Sequence, residues 1–167
     1  MSKVIILNGS GGVGKDTFVS LLSHYYKGKV YNQSSIEEAK RIATFCGWKG
    51  EKTDRDRKFL SDVKRALTEW RDIPCRQMLA FYEEHKEEDC IIIFHIREPS
   101  EIAKVVSYGF PDCITVLVTN KNVEDITSNP SDAGVYNYNY NYIVDNSGTL
   151  ADFGVTVLHF ANEIGVV

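Results

Sequence analysis

The amino-acid sequence predicts a three-layer α/β fold, about five parallel strands with helices on both faces, and three observations carry that reading. Short apolar runs at Lys3 to Leu7, Cys90 to Phe94 and Cys113 to Val118 have the composition of strands buried on both faces. Segments with helical spacing separate them, as crossovers between parallel strands require. The 167 residues fit a single domain, 1–167, with one core.

The elements follow in chain order. Lys3 to Leu7 reads as a strand halted by a glycine-rich stretch, and Phe18, Val19, Leu21, Leu22 and Tyr25 form the apolar face of a first helix. Val30 to Asn32 is a short second strand. Ser34 or Ser35 is expected to cap a helix running to about Phe45, with Glu38 completing a capping box, and Gly47 ends it. Over 54 to 71, the apolar positions Phe59, Leu60, Val63, Ala66, Leu67 and Trp70 predict an amphipathic helix, whose other side carries Arg57, Lys64 and Arg71 in one stripe. Another helix runs from about Pro74 to Lys86, with proline at its start. After the Cys90 strand, Ser100 to Tyr108 is helical and Cys113 to Val118 extended. Residues 120 to 135 are polar, contain Pro130 and Gly134, and read as a long mobile loop. Alternating Tyr and Asn over 136 to 141 fits a two-sided strand or strand approach, or aromatic contact with a base. Tyr142 to Val144 is the last strand, Asp145 to Gly148 a turn, Thr149 an N-cap, and Leu150 to about Ile164 the closing helix.

Charge is unevenly distributed. The net charge is -4, and 43% hydrophobic with 25% charged residues is ordinary globular composition, which argues against disorder and against generic nucleic-acid binding. Yet residues 40 to 76 hold eleven basic side chains against six acidic, a net of +5. A cationic patch on an acidic protein suits a small anion better than a long polyanion. The four cysteines show no paired spacing and the four histidines no zinc spacing, so reduced thiols without metal or disulfide are expected. The apolar run at the start is too short for a signal segment or a membrane span, and no later run approaches the roughly 20 residues that a span needs. A soluble, cytoplasmic protein is expected, with no membrane partner.

The chemistry concentrates in Gly9-Ser10-Gly11-Gly12-Val13-Gly14-Lys15-Asp16-Thr17, between the first strand and first helix. Glycines let successive N–H groups turn toward a phosphate, the helix N-terminus adds roughly half a positive charge, and the lysine reaches the β and γ oxygens. Where such loops usually continue with Ser or Thr as a Mg²⁺ ligand, this chain has Asp16, an oxygen donor that suits Mg²⁺ directly or through water, and Thr17 one place later.

The G-K-D-T ending resembles the P-loop nucleoside monophosphate kinases, and especially the phage-type deoxynucleoside monophosphate kinases and related small kinases with G-K-D. The resemblance implies phosphoryl transfer from ATP, with Mg²⁺, to an acceptor phosphate. It implies ATP binding by Gly9, Gly11, Gly12, Val13, Gly14, Lys15, Asp16 and Thr17, metal binding by Asp16, and catalysis by Lys15 and Arg97. Arg97, just beyond the Cys90 strand, resembles the arginine that holds the acceptor phosphate in these kinases; an ion pair with Glu98 or Glu101 is the other reading. His95 stands where many members place a carboxylate near Mg²⁺. Ser34, Ser35, Lys40 and Arg41 occupy the acceptor-binding region, which the resemblance extends over about 33–76. Arg57 and Lys64 are placed to close on the acceptor, or lie on a solvated helix face. Asp145-Asn146-Ser147-Gly148-Thr149 is similar to the turn that flanks the donor adenine, which brings Asn146 and Gly148 into the ATP site; a plain tight turn explains it as well. The lid-like loop, about 119–138, offers Lys121 where relatives offer arginines.

Three functions are compatible with these residues. The first is a kinase of (deoxy)nucleoside monophosphates; the second keeps the fold but takes a small phosphorylated metabolite of the phosphomevalonate or dephospho-coenzyme A type. The third is a degenerate, non-catalytic nucleotide-binding protein. A GTPase switch is argued against, because Asn120-Lys121-Asn122-Val123 lacks the final Asp of N-K-x-D.

Overall fold

The computed structural model describes residues 2–125 and 133–167. Five strands, β1 (Lys3–Asn8), β2 (Lys29–Ser34), β3 (Cys90–His95), β4 (Ile114–Thr119) and β5 (Tyr142–Asp145), form one sheet in the order β2-β3-β1-β4-β5. Every pairing is parallel. The described helices are α1 (Lys15–Tyr25), α2 (Glu37–Phe45), α3 (Asp54–Arg71), α4 (Ile73–His85), α5 (Pro99–Ser107) and α6 (Leu150–Glu163). None is long and apolar enough to cross a membrane.

Alternation along the central strands builds two cores. Ile5, Leu7, Ile91, Ile93, Val116 and Val118 face α1 and α6 through Phe18, Leu22, Phe153 and Phe160. Val4, Ile6, Ile92 and Phe94 face α4 and α5 through Met78, Tyr82, Ile102 and Val105. Strands wholly covered this way read as continuous apolar runs, which is why β1, β3 and β4 were recognisable. With β1 in the middle, its C-terminal end opens into the crevice between diverging crossovers, where open α/β sheets bind ligands.

Several expectations need correction. β2 is six residues long, because a polar edge strand pairs on one side only and shows no apolar run. Ser34 is its last residue, and Ser35 N–H donates to the His95 carbonyl at 3.0 Å, continuing the sheet. Neither serine therefore caps α2, whose N-cap is Ile36 without a side-chain bond. The helix over 54–71 is present, opened by a Thr53–Asp56 capping box, but it lies outside the two cores and packs on α2 and α4. Its buried stripe is accordingly narrow: Leu60 and Lys64 are buried, while Phe59 is 42% and Trp70 69% exposed. Arg71 lies over the Trp70 ring, so the expected stripe of three cations is divided among different surroundings. Thr149 caps α6 as expected, with Asp152.

Residues 136–141 are turn and bend, not strand. The Tyr138 and Tyr140 rings pack on the α4/α5 core, and Asn141 pins the entry to β5 by hydrogen bonds with Thr115. Of the expected loop over 120–135, residues 126–132 lie outside the described residues. All four cysteines are free thiols; Cys75 and Cys90 are buried, Cys113 is half-buried and Cys46 exposed.

Candidate active site

The glycine loop connects β1 to α1, and its neighbours dictate where glycine is required. Gly9 has φ 150°, and a Cβ there would lie 2.6 Å from the Val118 carbonyl oxygen. Gly14, the N-cap of α1, has φ 104°, and a Cβ would meet the Asn146 amide at 2.3 Å. Left-handed geometry of this kind is where glycine carries no steric penalty, and Gly14 at the N-terminus of α1 lines the cleft. The Lys15 ammonium donates to the carbonyls of Gly9, 2.6 Å, and Ser10, 2.8 Å, which fixes it within the loop.

Three side chains clamp this loop to the rest of the sheet. Asn8 Oδ1 accepts from Gly9 N–H at 2.8 Å, and its Nδ2 donates to the Arg97 carbonyl at 3.0 Å and to the Tyr140 hydroxyl at 2.7 Å. Tyr140 in turn donates to the Val135 carbonyl. From the other side Asn146 Nδ2 donates to the Val13 carbonyl at 2.9 Å. Gly148 approaches the Asp152 cap so closely that a Cβ would sit 2.9 Å from its carboxylate. Gly9, Val13 and Asn146 thus take part in the contacts that hold the loop's shape, whereas Gly148 packs on the cap of α6.

In front of the loop lies a cleft of about 620 Å³. Gly11, Gly12, Gly14, Lys15, Asp16 and Thr17 of the loop line it together with Ser34, Ser35, Lys40, Arg57, Lys64 and Arg97. Arg41 points elsewhere: it is exposed, ion-paired with Glu38 at 2.5 Å, and borders a second cleft of about 600 Å³ with Gln77, Met78 and Phe81. Arg57 Nε donates to the Lys52 carbonyl at 3.1 Å. The Lys64 ammonium, although it borders the cleft, is paired with Glu101 at 2.5 Å and Glu98 at 3.4 Å.

Sequence reasoning missed Asn8, Asn32, Trp48 and Lys52. Trp48 lines the cleft from the connection between α2 and α3, its indole N–H donating to the Glu51 carbonyl at 2.9 Å. Only its place just after the helix-ending Gly47 hinted that it was held. Asn8 gave a better signal, a polar residue closing an apolar strand beside the first loop glycine.

His95 reports the electrostatics. It is half-buried at the end of β3, with Nε2 2.5 Å from Asn32 Oδ1. Burial, then the positive charges of Lys15, Lys40 and Arg97, bring its pKa down to about 4, against the opposing pull of Asp16. Three cations acting on one neutral ring mark a place suited to an anion. The sign for stability follows: the unfolded chain takes up a proton near pH 6.5 that the folded one refuses until about 4, so stability falls as pH drops through that window. With allowance for the ring's partial access to solvent, the loss is about 2 kcal/mol. Urea unfolding of the native protein and of His95→Gln between pH 7 and 4.5 should show that extra loss in the native protein only; parallel curves would refute it.

The donors present also fit a magnesium ion carried by a polyphosphate. Asp16 is exposed at the head of α1 with Thr17 behind it, and no cluster of three His, Cys, Asp or Glu exists among the described residues. One carboxylate and one hydroxyl suit Mg²⁺, which keeps waters and takes oxygens from its phosphates.

No protein-family model matches the chain, and no curated protein matches it in sequence. Solved structures do match in shape. A sugar kinase from a Janibacter species superposes with TM-score 0.59 at 12% identity, covering 100% of this chain and 96% of that one. A tunicamycin resistance protein from Deinococcus radiodurans gives 0.58 at 14% identity, with 100% and 98% covered. Dephospho-CoA kinase from Campylobacter jejuni gives 0.51 at 13% identity, with 98% and 97% covered. At such identities the likeness is one of fold: this chain is an α/β protein with a five-stranded parallel sheet, and these structures share its fold.

Proposed function

We propose that the protein is an ATP-dependent phosphotransferase that moves the γ-phosphoryl group to the phosphate of a (deoxy)nucleoside monophosphate. The observation that carries this reading is that Lys15 of the glycine loop shares one cleft with Lys40 and Arg97, all three acting on His95 at the end of β3. Loop N–H groups and Lys15 hold the β and γ phosphates; Arg97 and Arg57 hold the acceptor phosphate. When bound, Mg²⁺ neutralises charge on the phosphoryl oxygens, with Asp16 and Thr17 as its protein-side donors. An anionic phosphate oxygen needs no general base, so an acceptor oxygen attacks the γ phosphorus in line and the bond to the β-phosphate oxygen breaks. Positioning and charge stabilisation are then the protein's whole contribution.

A second reading takes a longer phosphorylated metabolite as acceptor. It is favoured by the second cleft, which shares Gln33, Ser34, Glu37 and Lys40 with the first, and by the dephospho-CoA kinase among the structural neighbours. ADP release measured over the full set of nucleoside and deoxynucleoside monophosphates tests the first reading. No turnover with any of them would sink it, and ATP binding without transfer would point to a non-catalytic binder. With a working acceptor, Arg57→Ala should raise its KM about tenfold and leave the KM for ATP within twofold; the reverse pattern would move the acceptor site elsewhere.

A further inference from the structure

Among the described residues one ion pair has both partners buried: Lys64 and Glu101, 5% and 6% exposed, with Nζ 2.5 Å from the carboxylate. Glu98 stands 3.4 Å from the same ammonium, and Ser35, buried like Lys64, lines the same cleft. Burial raises the Glu101 pKa, while Lys64 pulls it back. A buried pair of this kind returns little stability, since desolvating two charges offsets most of their attraction. Its placement is more informative. Glu98 follows Arg97 directly and is the N-cap of α5; Glu101 lies in the first turn of that helix; Ser35 lies between β2 and α2. These are the segments on the acceptor side of the cleft, and α3 buries only Leu60 besides Lys64.

We propose that Lys64 is a positioning residue: by tying α3 to Glu98 and Glu101 it fixes the turn that carries Arg97, and so places the guanidinium at the acceptor phosphate. Lys64 itself does not touch the acceptor. The identity of that acceptor rests on the kinase reading above; the tie does not.

Lys64→Met and Glu101→Gln, alone and combined, provide the test. Each single change should raise the acceptor KM about tenfold with the ATP KM within twofold, and the combination should do no worse than either, because both break one unit. Should either variant fold poorly, Lys64→Met with Glu101→Leu replaces the pair by apolar side chains, a change expected to preserve folding. It should still raise the acceptor KM about tenfold. If Glu101→Gln leaves the acceptor KM unchanged or lowers it while Lys64→Met raises it, Lys64 is a direct ligand and the proposal falls. Variants that lose stability but keep both KM values overturn it as well.

An arm independent of turnover uses inorganic phosphate. Trp48 lines the cleft, and Trp70→Phe leaves it as the sole tryptophan. In that background Lys64→Met and Glu101→Gln should each weaken phosphate binding, followed by Trp48 fluorescence, about tenfold. Variants that bind phosphate as tightly as their parent overturn the tie. A parent that binds phosphate but phosphorylates no monophosphate overturns the kinase reading, and the tie is then judged on phosphate affinity. No phosphate binding by the parent overturns both.

Discussion

Lys15→Met should lower the rate of phosphoryl transfer by about 10³-fold, the scale of losing one preorganised charge at a transition state. Two features of the loop support so large a figure. The ammonium is anchored on the Gly9 and Ser10 carbonyls at 2.6 and 2.8 Å, so its charge is placed before substrate arrives and needs no reorganisation during reaction. It also sits in a field already shaped by Lys40 and Arg97, strong enough to help hold His95 neutral. Methionine keeps the length and the apolar stem but donates nothing to either carbonyl. The loop should nevertheless remain built, because Asn8 holds Gly9 and Asn146 holds Val13 from outside it. The measurement is single-turnover transfer at saturating MgATP, with thermal unfolding as the control for folding. A variant that unfolds within a few degrees of the native protein yet transfers at more than a tenth of its rate would remove Lys15 from the chemistry.

The same loop shows what was legible in the sequence. The glycine spacing, the strand before it and the helix after it are local, and local patterns survive translation into structure. The central strands β1, β3 and β4 were equally plain, since burial on both faces leaves only apolar residues. What escaped was set by partners far away in the chain. Lys64, seven residues from Arg57, has the spacing of a solvated stripe; only the fold brings it to Glu101, 37 positions later, and makes it buried. Ser35 followed by Glu38 reads as a capping box until the longer β2 takes up its backbone N–H. Asn8 and Tyr140, 132 positions apart, join the loop, the Arg97 carbonyl and the segment before β5 through bonds that no periodicity reveals. Phe59 and Trp70 keep perfect helical spacing but remain exposed, because periodicity predicts a face and not what covers it.

Arg97→Met separates acceptor from donor more cleanly than any other change in the cleft. The Arg97 backbone is held by Asn8, so losing the guanidinium should leave the turn in place and remove only its charge and donors. Arginine's fork suits a phosphate as no ammonium does, and kcat/KM for the acceptor should fall by about 10²–10³-fold while the ATP KM stays within twofold. Arg97→Lys should recover less than about a tenth of the lost activity for the same reason. A readout that needs no turnover accompanies this. The Arg97 charge is among the causes of the low His95 pKa, so its removal should move that pKa up from about 4, visible by NMR titration of the His95 ring. If the His95 pKa rises but acceptor kinetics do not change, Arg97 shapes the field without holding the acceptor. If the ATP KM rises as much as the acceptor KM, the arginine serves the donor phosphates, and the two halves of the cleft must exchange roles.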